Sequence, residues 1–495
     1  MRNIKDIRFD IDKVDEKLIK LLEKRFDLSK EVSLYKKENN KPIFDKEREN
    51  EILKNLEKEN KKYGPYFREI YKTIMEQSKN LQKKCERYGL LGKKLGHSFS
   101  KIIHEKIGNY TYEYFEKDED ELSDFFQKRD FKAINVTIPY KNDVIKYLDV
   151  ISDKAEKIGA VNTIVNIEGK LYGYNTDYEG FLYNLKKHKI DINGKKVLIL
   201  GKGATSNTVK VVLEDLGAKK IVRLSRRFKP FFKDVSNYID YQIIINTTPV
   251  GMFPNNEKKL SDINIDDFKN LEAFVDCIYN PFMTNLSIDS KIKGITFATG
   301  LDMLIAQGVR AAEYFLGKKI DDKKICQIRS SIFKEQMNIA LIGMPGSGKT
   351  SIANILSKKL DREFIDIDCE FEKKYGNIED FFKRYGEDEF RIKESEILKE
   401  YGKKVGLVIA CGGGVIKKEI NYYYLKQNSF IVNIKRDLDK LAIEGRPLSL
   451  EKRIEDLYKE RKDLYEKFED VSVENIDIND CSDEIIRIFY ENISY

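Results

Sequence analysis

Gly343 to Thr350 reads GMPGSGKT, placing glycines, a lysine and a hydroxyl in the order G-x-x-x-x-G-K-[ST] between the strand-like NIALI and a helical run. In such a loop Gly343, Gly346, Ser347 and Gly348 leave backbone amides free to surround phosphates at a helix amino terminus. Lys349 reaches the outer phosphates, and the Thr350 hydroxyl, next to Ser351, can ligate Mg²⁺. ATP or GTP binding is expected. The loop does not say what receives the phosphate. In EFIDIDCEFE, Asp366 and Asp368 are two residues apart; on a strand they would point to one face, where one can serve a metal and the other an acceptor hydroxyl. Arg391 and Glu394 follow at i, i+3, then Gly412 to Gly414 in CGGG, then Arg446 and Arg461. Arginine forks and backbone amides can hold carboxylates and hydroxyls.

A second constellation lies upstream. KKVLILGKGATSNTVKVVLEDLGAKKIVRLSRR has the strand, glycine turn, helix and strand of a dinucleotide-binding unit. Gly201 and Gly203 are present, Ala204 and Thr205 follow, and Ser206 takes the place of the third glycine. The second strand ends in Ser225, Arg226 and Arg227 where an acid would hold the ribose of NAD, so NADP(H) is the expected cofactor.

A third lies at the amino terminus. On a helical projection Arg25 falls within about 40° of Leu21 and about 60° of Leu28, and Lys36 is about 20° from Arg25. Two cations on an apolar stripe are costly to bury without an anion. Ser78 and Gln82 share the apolar side of a later helix.

The chain must build several cores to carry these groups. Its 495 residues predict about three domains at roughly 100 to 200 residues each. With 41% hydrophobic residues it is not disordered. A net charge of +7 is too small a surplus to argue for nucleic acid. No apolar run approaches the roughly 20 residues of a membrane span and the first residues lack a signal-peptide core, so a cytoplasmic protein without membrane contact is expected. Six scattered cysteines without a C-x-x-C pair suit reduced thiols, and three histidines argue against a histidine-based metal centre. Residues 1–85 read as an all-α bundle divided near Pro42 and Pro65. From Tyr88, short apolar runs punctuated by glycine alternate with helical stretches and indicate α/β architecture. Met337 restarts that pattern as a phosphate-loop domain with a parallel sheet. A last helix and linker is expected at about 318–336.

Three families are resembled in turn. Residues 337–495 resemble shikimate kinase, which implies that Asp368 orients the acceptor hydroxyl, that Arg391, Arg461, Gly413 and Gly414 hold shikimate, and that Arg446 closes from a lid. The segment between Lys440 and Arg446 looks shorter and less basic than is usual there. Residues 86–330 resemble shikimate dehydrogenase through GHSFS, NVTIPYK, GAVNTI, YNTD, NTTPVGM and GLDMLIAQG. A substrate-binding part at 86–190, a Rossmann part at 191–300 and closing helices at 301–330 are implied. So are carboxylate binding by Ser98 and Ser100, substrate contacts from Asn135, Thr137, Asn162, Tyr279 and Gln307, and a catalytic pair of Lys141 and Asp177. Residues 1–85 resemble the all-helical chorismate mutases through IRFDIDKVDEKLIKLLEKR, EVSLYK, KPIFDKERENEIL and EQSKNLQ. Arg8, Arg25, Lys36, Asp45, Arg48, Glu49, Ser78 and Gln82 fall on that family's active-site positions. Arg8 is there expected to enter the neighbouring subunit's site, which implies a homodimer.

The expectation is a multifunctional enzyme that rearranges chorismate, reduces 3-dehydroshikimate with NADPH and phosphorylates shikimate with ATP and Mg²⁺. The alternative is a dehydrogenase and kinase whose helical segment only dimerises the chain or senses a ligand.

Overall fold

The computed structural model describes residues 2–38, 46–59, 62–84, 87–96, 98–108, 110–260, 262–441 and 454–493. Contacts group the chain into two compact units, Met1–Asn175 with Tyr314–Gly317, and Thr176–Glu313 with Lys318–Tyr495.

The first unit opens with three helices, α1 (Ile4–Glu38), α2 (Lys46–Glu59) and α3 (Gly64–Lys84). Without glycine or proline in α1, nothing breaks its 35 residues. The apolar stripe of α1, expected to be buried, is largely exposed: Val14 is 62%, Leu18 50%, Leu21 65% and Leu28 50% exposed. A lone chain offers this long helix too little partner surface to cover the stripe, whereas Met75 and Ser78 on α3 are buried. A six-stranded sheet follows, in the order 112–116, 88–92, 133–136, 163–167, 170–174, 150–151. Its first three strands are parallel, and the hairpin of 163–167 and 170–174 joins strand 133–136 antiparallel. Parallel strands buried on both faces end together, so the loops after Gly92 and Val136 emerge at one edge of the sheet.

The second unit holds two five-stranded parallel sheets. One has the order 296–298, 273–276, 243–246, 196–200, 220–224, and the other 364–366, 408–410, 338–342, 429–435, 471–474. Their strands KVLIL, IIIN, AFVD, NIALI and SFIVNIK are rich in β-branched and aliphatic residues and almost wholly buried, as parallel strands covered by helices must be. Helix Lys323–Gln336, within the stretch read as a last helix and linker, runs directly into the central strand Asn338–Ile342 and buries Ile325, Ile328, Ile332 and Phe333.

The two sheets share a polar seam. Gln427 Nε2 donates to the Asn256 carbonyl at 3.0 Å and to Asn285 Oδ1 at 2.9 Å, while Met283 N donates to the Gln427 carbonyl at 3.0 Å. Phe282 N donates to Asn428 Oδ1 at 3.1 Å, and Tyr423 OH to Asp289 at 2.7 Å. Lys399 and Lys403 both pair with Glu257, and Ile288 joins the apolar core beneath the phosphate-loop sheet. No helix among the described residues is long and apolar enough to cross a membrane.

Candidate active sites

In the phosphate-loop domain the central strand ends in Gly343, whose φ of 140° suits glycine, and a Cβ there would lie 2.5 Å from the Ile434 carbonyl. Gly346 and Gly348 also take positive φ, and helix Lys349–Leu360 starts at once. Lys349 Nζ donates to the carbonyls of Gly343 and Met344, both at 2.9 Å, and the buried Ser347 Oγ has no partner. This glycine-bounded turn at a helix amino terminus, with its hydroxyl, fits a phosphate chain. Thr350 Oγ1 donates to Asp366 Oδ2 at 2.8 Å. No cluster of three or more His, Cys, Asp or Glu ligands occurs among the described residues. A Mg²⁺ at Thr350 and Asp366 would therefore complete its shell with phosphate oxygens and water, as that ion commonly does.

The strand reading of EFIDIDCEFE holds only to Asp366. Asp366 caps helix Ile367–Tyr375, its Oδ1 accepting from the backbone of Asp368 at 3.0 Å and of Cys369 at 3.2 Å, so Asp368 sits in the first helical turn. A side-chain cap turned the chain where alternation suggested more strand. The two carboxylates still line one cleft of about 510 Å³, with Lys349, Thr350, Ser351, Arg391, Gly412 to Gly414 and Arg461. Burial, with the charges of Glu394 and Asp366, pushes the Asp368 carboxyl up to about 6. Arg391 donates to Glu394 at 2.7 Å, and Arg461 Nη1 to the Gly413 carbonyl at 2.9 Å, leaving the buried Arg461 Nε and Nη2 without a partner among the described residues. Such a pair of donors can receive a carboxylate. Glu394, Cys411 and Arg436 also line the cleft; the spacing after Arg391 hinted at the first, and nothing in the sequence at the others. Arg446 lies outside the described residues.

In the dinucleotide-binding sheet Gly201 has a φ of 120° and Gly203 caps helix Ala204–Asp215, which begins with Ala204 and Thr205. Ser206 stands where a third glycine was sought, buried, its Oγ donating to the Gly201 carbonyl at 2.8 Å and closing the turn. At the end of the next strand Ser225 Oγ accepts from the backbone of Arg227 at 3.0 Å and of Phe228 at 3.2 Å, and Arg226 and Arg227 are exposed. A helix amino terminus beside two unburied guanidinium groups fits a phosphorylated dinucleotide. Asp177 is buried at the start of helix Asp177–Lys187. Gly180 lies so close to helix Gly300–Leu316 that a Cβ would meet the Met303 carbonyl at 2.6 Å, which draws Gln307 alongside. Buried Asp276 accepts from Asn246 Nδ2 at 3.1 Å, Ile278 N at 2.9 Å and Thr284 Oγ1 at 2.6 Å, fixing the turn that presents Tyr279.

In the first unit Ser98, Ser100, Asn135, Thr137, Lys141 and Asn162 lie on strand ends, in the turns beside them or at a helix start. Ser98 Oγ donates to Ser100 Oγ at 3.0 Å, at the start of helix Ser100–Ile107. Asn135 is held from behind: Tyr112 OH donates to its Oδ1 at 2.7 Å, and its Nδ2 donates to Thr163 Oγ1 at 3.1 Å and to the Asn162 carbonyl at 3.2 Å. Val161 N donates to the Lys141 carbonyl at 2.8 Å, tying the lysine's loop to the segment carrying Asn162.

In the helical domain Arg25 Nη1 donates to Ser78 Oγ at 2.6 Å, joining α1 to α3, and Lys79 pairs with Glu49 at 2.8 Å, joining α3 to α2. Lys36 is half-buried, whereas Arg8 and Arg48 are exposed, with Arg48 paired to Glu51. Asp45 and the Gln82 side chain lie outside the described residues. Seventeen residues of α1 separate Arg8 from Arg25, about 26 Å at a helical rise of 1.5 Å, so one chain cannot bring both to the same small ligand.

Fold and sites together define a dinucleotide-binding α/β enzyme flanked by a helical bundle and a phosphate-loop domain. Family models match residues 7–83 (chorismate mutase type II), 90–164 (shikimate dehydrogenase substrate binding domain) and 345–492 (shikimate kinase). The shikimate dehydrogenase (NADP(+)) of Clostridium perfringens is 42% identical over 256 residues, 47% of this chain and 93% of that protein. That of Clostridium beijerinckii is 38% identical over 272 residues, 51% of this chain and 99% of that protein. Among solved structures, a chorismate mutase/shikimate 5-dehydrogenase fusion protein from Clostridium acetobutylicum is 34% identical, with 49% of this chain and 95% of that one covered and a TM-score of 0.46. The chain belongs to the shikimate dehydrogenase family and carries a chorismate mutase domain before that segment and a shikimate kinase domain after it, as a multifunctional shikimate-pathway enzyme.

Proposed function

We propose that the chain rearranges chorismate to prephenate, reduces 3-dehydroshikimate to shikimate with NADPH, and transfers phosphate from MgATP to shikimate, so that the second reaction feeds the third. The observation that carries this is the single cleft in which Asp368, Arg391, Arg461 and Gly412 to Gly414 surround the floor beyond the phosphate loop. A phosphate loop serves many acceptors, but this set describes one with a carboxylate and several hydroxyls.

In the kinase, Arg391 and Arg461 hold the acceptor carboxylate and Asp368 orients the hydroxyl and takes its proton as it attacks. Lys349 turns from its own loop to the transferring phosphate, and Thr350 and Asp366 would hold a Mg²⁺ that offsets phosphate charge. In the dehydrogenase, bound NADPH supplies the hydride; Lys141 delivers the matching proton to the carbonyl oxygen, with Asp177 as its charge partner. Ser98 and Ser100 receive the substrate carboxylate, and Arg226 and Arg227 the 2′-phosphate of the cofactor. In the mutase no group transfers a proton. Arg8, Arg25 and Arg48 clamp two carboxylates in the compact conformer, and Lys36 and Gln82 donate to the ether oxygen as its bond breaks. The exposed stripe on α1 supports a homodimer, in which Arg8 would reach the partner's site. A cytoplasmic setting goes with reactions that draw on NADPH and MgATP.

The test offers purified full-length protein 3-dehydroshikimate, NADPH and MgATP, and follows shikimate 3-phosphate by mass spectrometry. Its formation is expected. Oxidation of NADPH with shikimate left unphosphorylated would overturn the kinase assignment, and no oxidation would overturn the dehydrogenase.

A further inference from the structure

The phosphate-loop domain has a second cleft of about 390 Å³ beside the first. It begins at the same loop: Met344 lines it, and so does Asn475, whose Nδ2 donates to the Ser347 carbonyl at 2.7 Å. Its rim is partly apolar, with Tyr458, Leu438 and Ile476, the last 86% exposed. Among the described residues, Arg436 is the one that lines both clefts.

Arg436 is the first residue after strand Ser429–Lys435. That strand runs parallel to the central one, with Asn433 paired to Ile342, and the Ile434 carbonyl packs directly on Gly343. Two residues beyond that contact, Arg436 is pinned to the mouth of the phosphate loop by a rigid sheet rather than by a lid. Of the other cations of the first cleft, Lys349 is held by its loop carbonyls, Arg391 by Glu394 and Glu387, and Arg461 by the Gly413 carbonyl through Nη1, its other donors lying at the acceptor floor. Arg436 makes no hydrogen bond or ion pair with any described residue, and its Nε is buried without a partner. A buried guanidinium nitrogen without an acceptor is satisfied when an anion arrives. Its planar fork matches phosphate oxygens.

We propose that Arg436 is a nucleotide ligand: it binds the phosphate nearest the nucleoside of a nucleoside di- or triphosphate, whose outer phosphates rest on the loop and whose base extends into the second cleft. This rests on the kinase assignment for its reaction, but nucleotide binding can be tested without it. Because both ATP and ADP carry the contacted phosphate, Arg436 acts on affinity for both, and on KM for MgATP more than on kcat.

The experiment uses full-length Arg436→Ala and Arg436→Lys. Titration with ADP by calorimetry, in the absence of shikimate, is expected to show binding weakened about tenfold in the alanine variant and partly restored by lysine, which keeps charge but loses the fork. KM for MgATP should rise by a similar factor, while KM for shikimate and the dehydrogenase rate stay within about twofold of the parent. ADP affinity unchanged in Arg436→Ala overturns the proposal, whatever the kinase does. Equal losses toward ADP, shikimate and the dehydrogenase would also overturn it, by showing a structural role. If the parent binds ADP but never phosphorylates shikimate, the acceptor assignment fails while the ADP comparison still decides the role of Arg436.

Discussion

The carboxylates of Asp368 and Glu394 converge on the α-carbon of Gly412, where a methyl group would lie 2.8 Å from one and 2.6 Å from the other. Glu394 belongs to helix Ile378–Gly402, Asp368 to the first turn of helix Ile367–Tyr375, and Gly412 to the turn after strand Val408–Ala410. Burial raises both carboxyls; the charge of Glu394 adds to the rise at Asp368, whereas Arg391 opposes the rise at Glu394.

Gly412→Ala should therefore push both acids off the acceptor position and lower kinase kcat/KM at least about 100-fold, since misplacement by about an ångström is that costly. Lys141→Ala should do the converse, abolishing dehydrogenase turnover with kinase and mutase rates nearly unchanged. Coupled assays for each activity on both variants check this. Loss of all three activities in a folded variant would contradict separate sites.

Asp276 gives a pH dependence. Burial pushes its carboxyl from 3.8 up to about 6 despite three donated hydrogen bonds. A pKa raised in the fold means that the protonated form fits better. Its contribution to stability is fully present below 3.8 and is lost as pH rises through about 6. Relative to Asp276→Asn, which does not titrate there, the parent should lose on the order of 2 to 3 kcal/mol between those limits and show no further trend above. Chemical denaturation of both proteins at a series of pH values measures it; a flat difference across that window would refute the shift.

Arg226 and Arg227 should set cofactor choice. Replacing both by alanine is expected to raise KM for NADPH about tenfold or more, with little change for NADH, because only the 2′-phosphate is lost as a partner. Equal specificity constants for the two cofactors in the parent would refute the assignment.

The mutase site should require two chains. Arg8→Ala and Lys36→Ala are each expected to be nearly inactive. Co-refolded in equal amounts, about half the dimers are mixed and each mixed dimer has one intact site, so about one quarter of normal chorismate consumption should return. If mixed dimers form and activity stays at the level of the separate variants, Arg8 does not act in trans.

Sequence periodicity made some of this legible and left the rest dark for physical reasons. The phosphate loop is local chemistry, so its spacing alone located Gly343 to Thr350. Arg25 and Ser78 stand out because each is polar on an apolar stripe, and the structure joins them. The exposure of that stripe was not legible, since a pattern that requires burial does not say in which chain the cover lies. The alternation of Ile365 and Ile367 with acids favours a strand through Asp368, and a capping side chain overrides that alternation. Gln427 and Arg436 gave no signal at all. Each is a single polar residue whose importance comes from segments far away in sequence, and no period or motif records that.

The seam at Gln427 also bears on how such a chain can be taken apart. Gln427, Asn428, Asn256 and Asn285 are all buried where the phosphate-loop sheet meets the dinucleotide-binding sheet. A kinase cut free near residue 337 would expose that polar set to water and strip Ile288 from its own apolar core. Grafted onto a foreign dehydrogenase, it would need the same carbonyl, amide and carboxylate at the matching places. Recombination that exchanged one catalyst without the other would part the two halves of this seam, which lie on either side of the crossover.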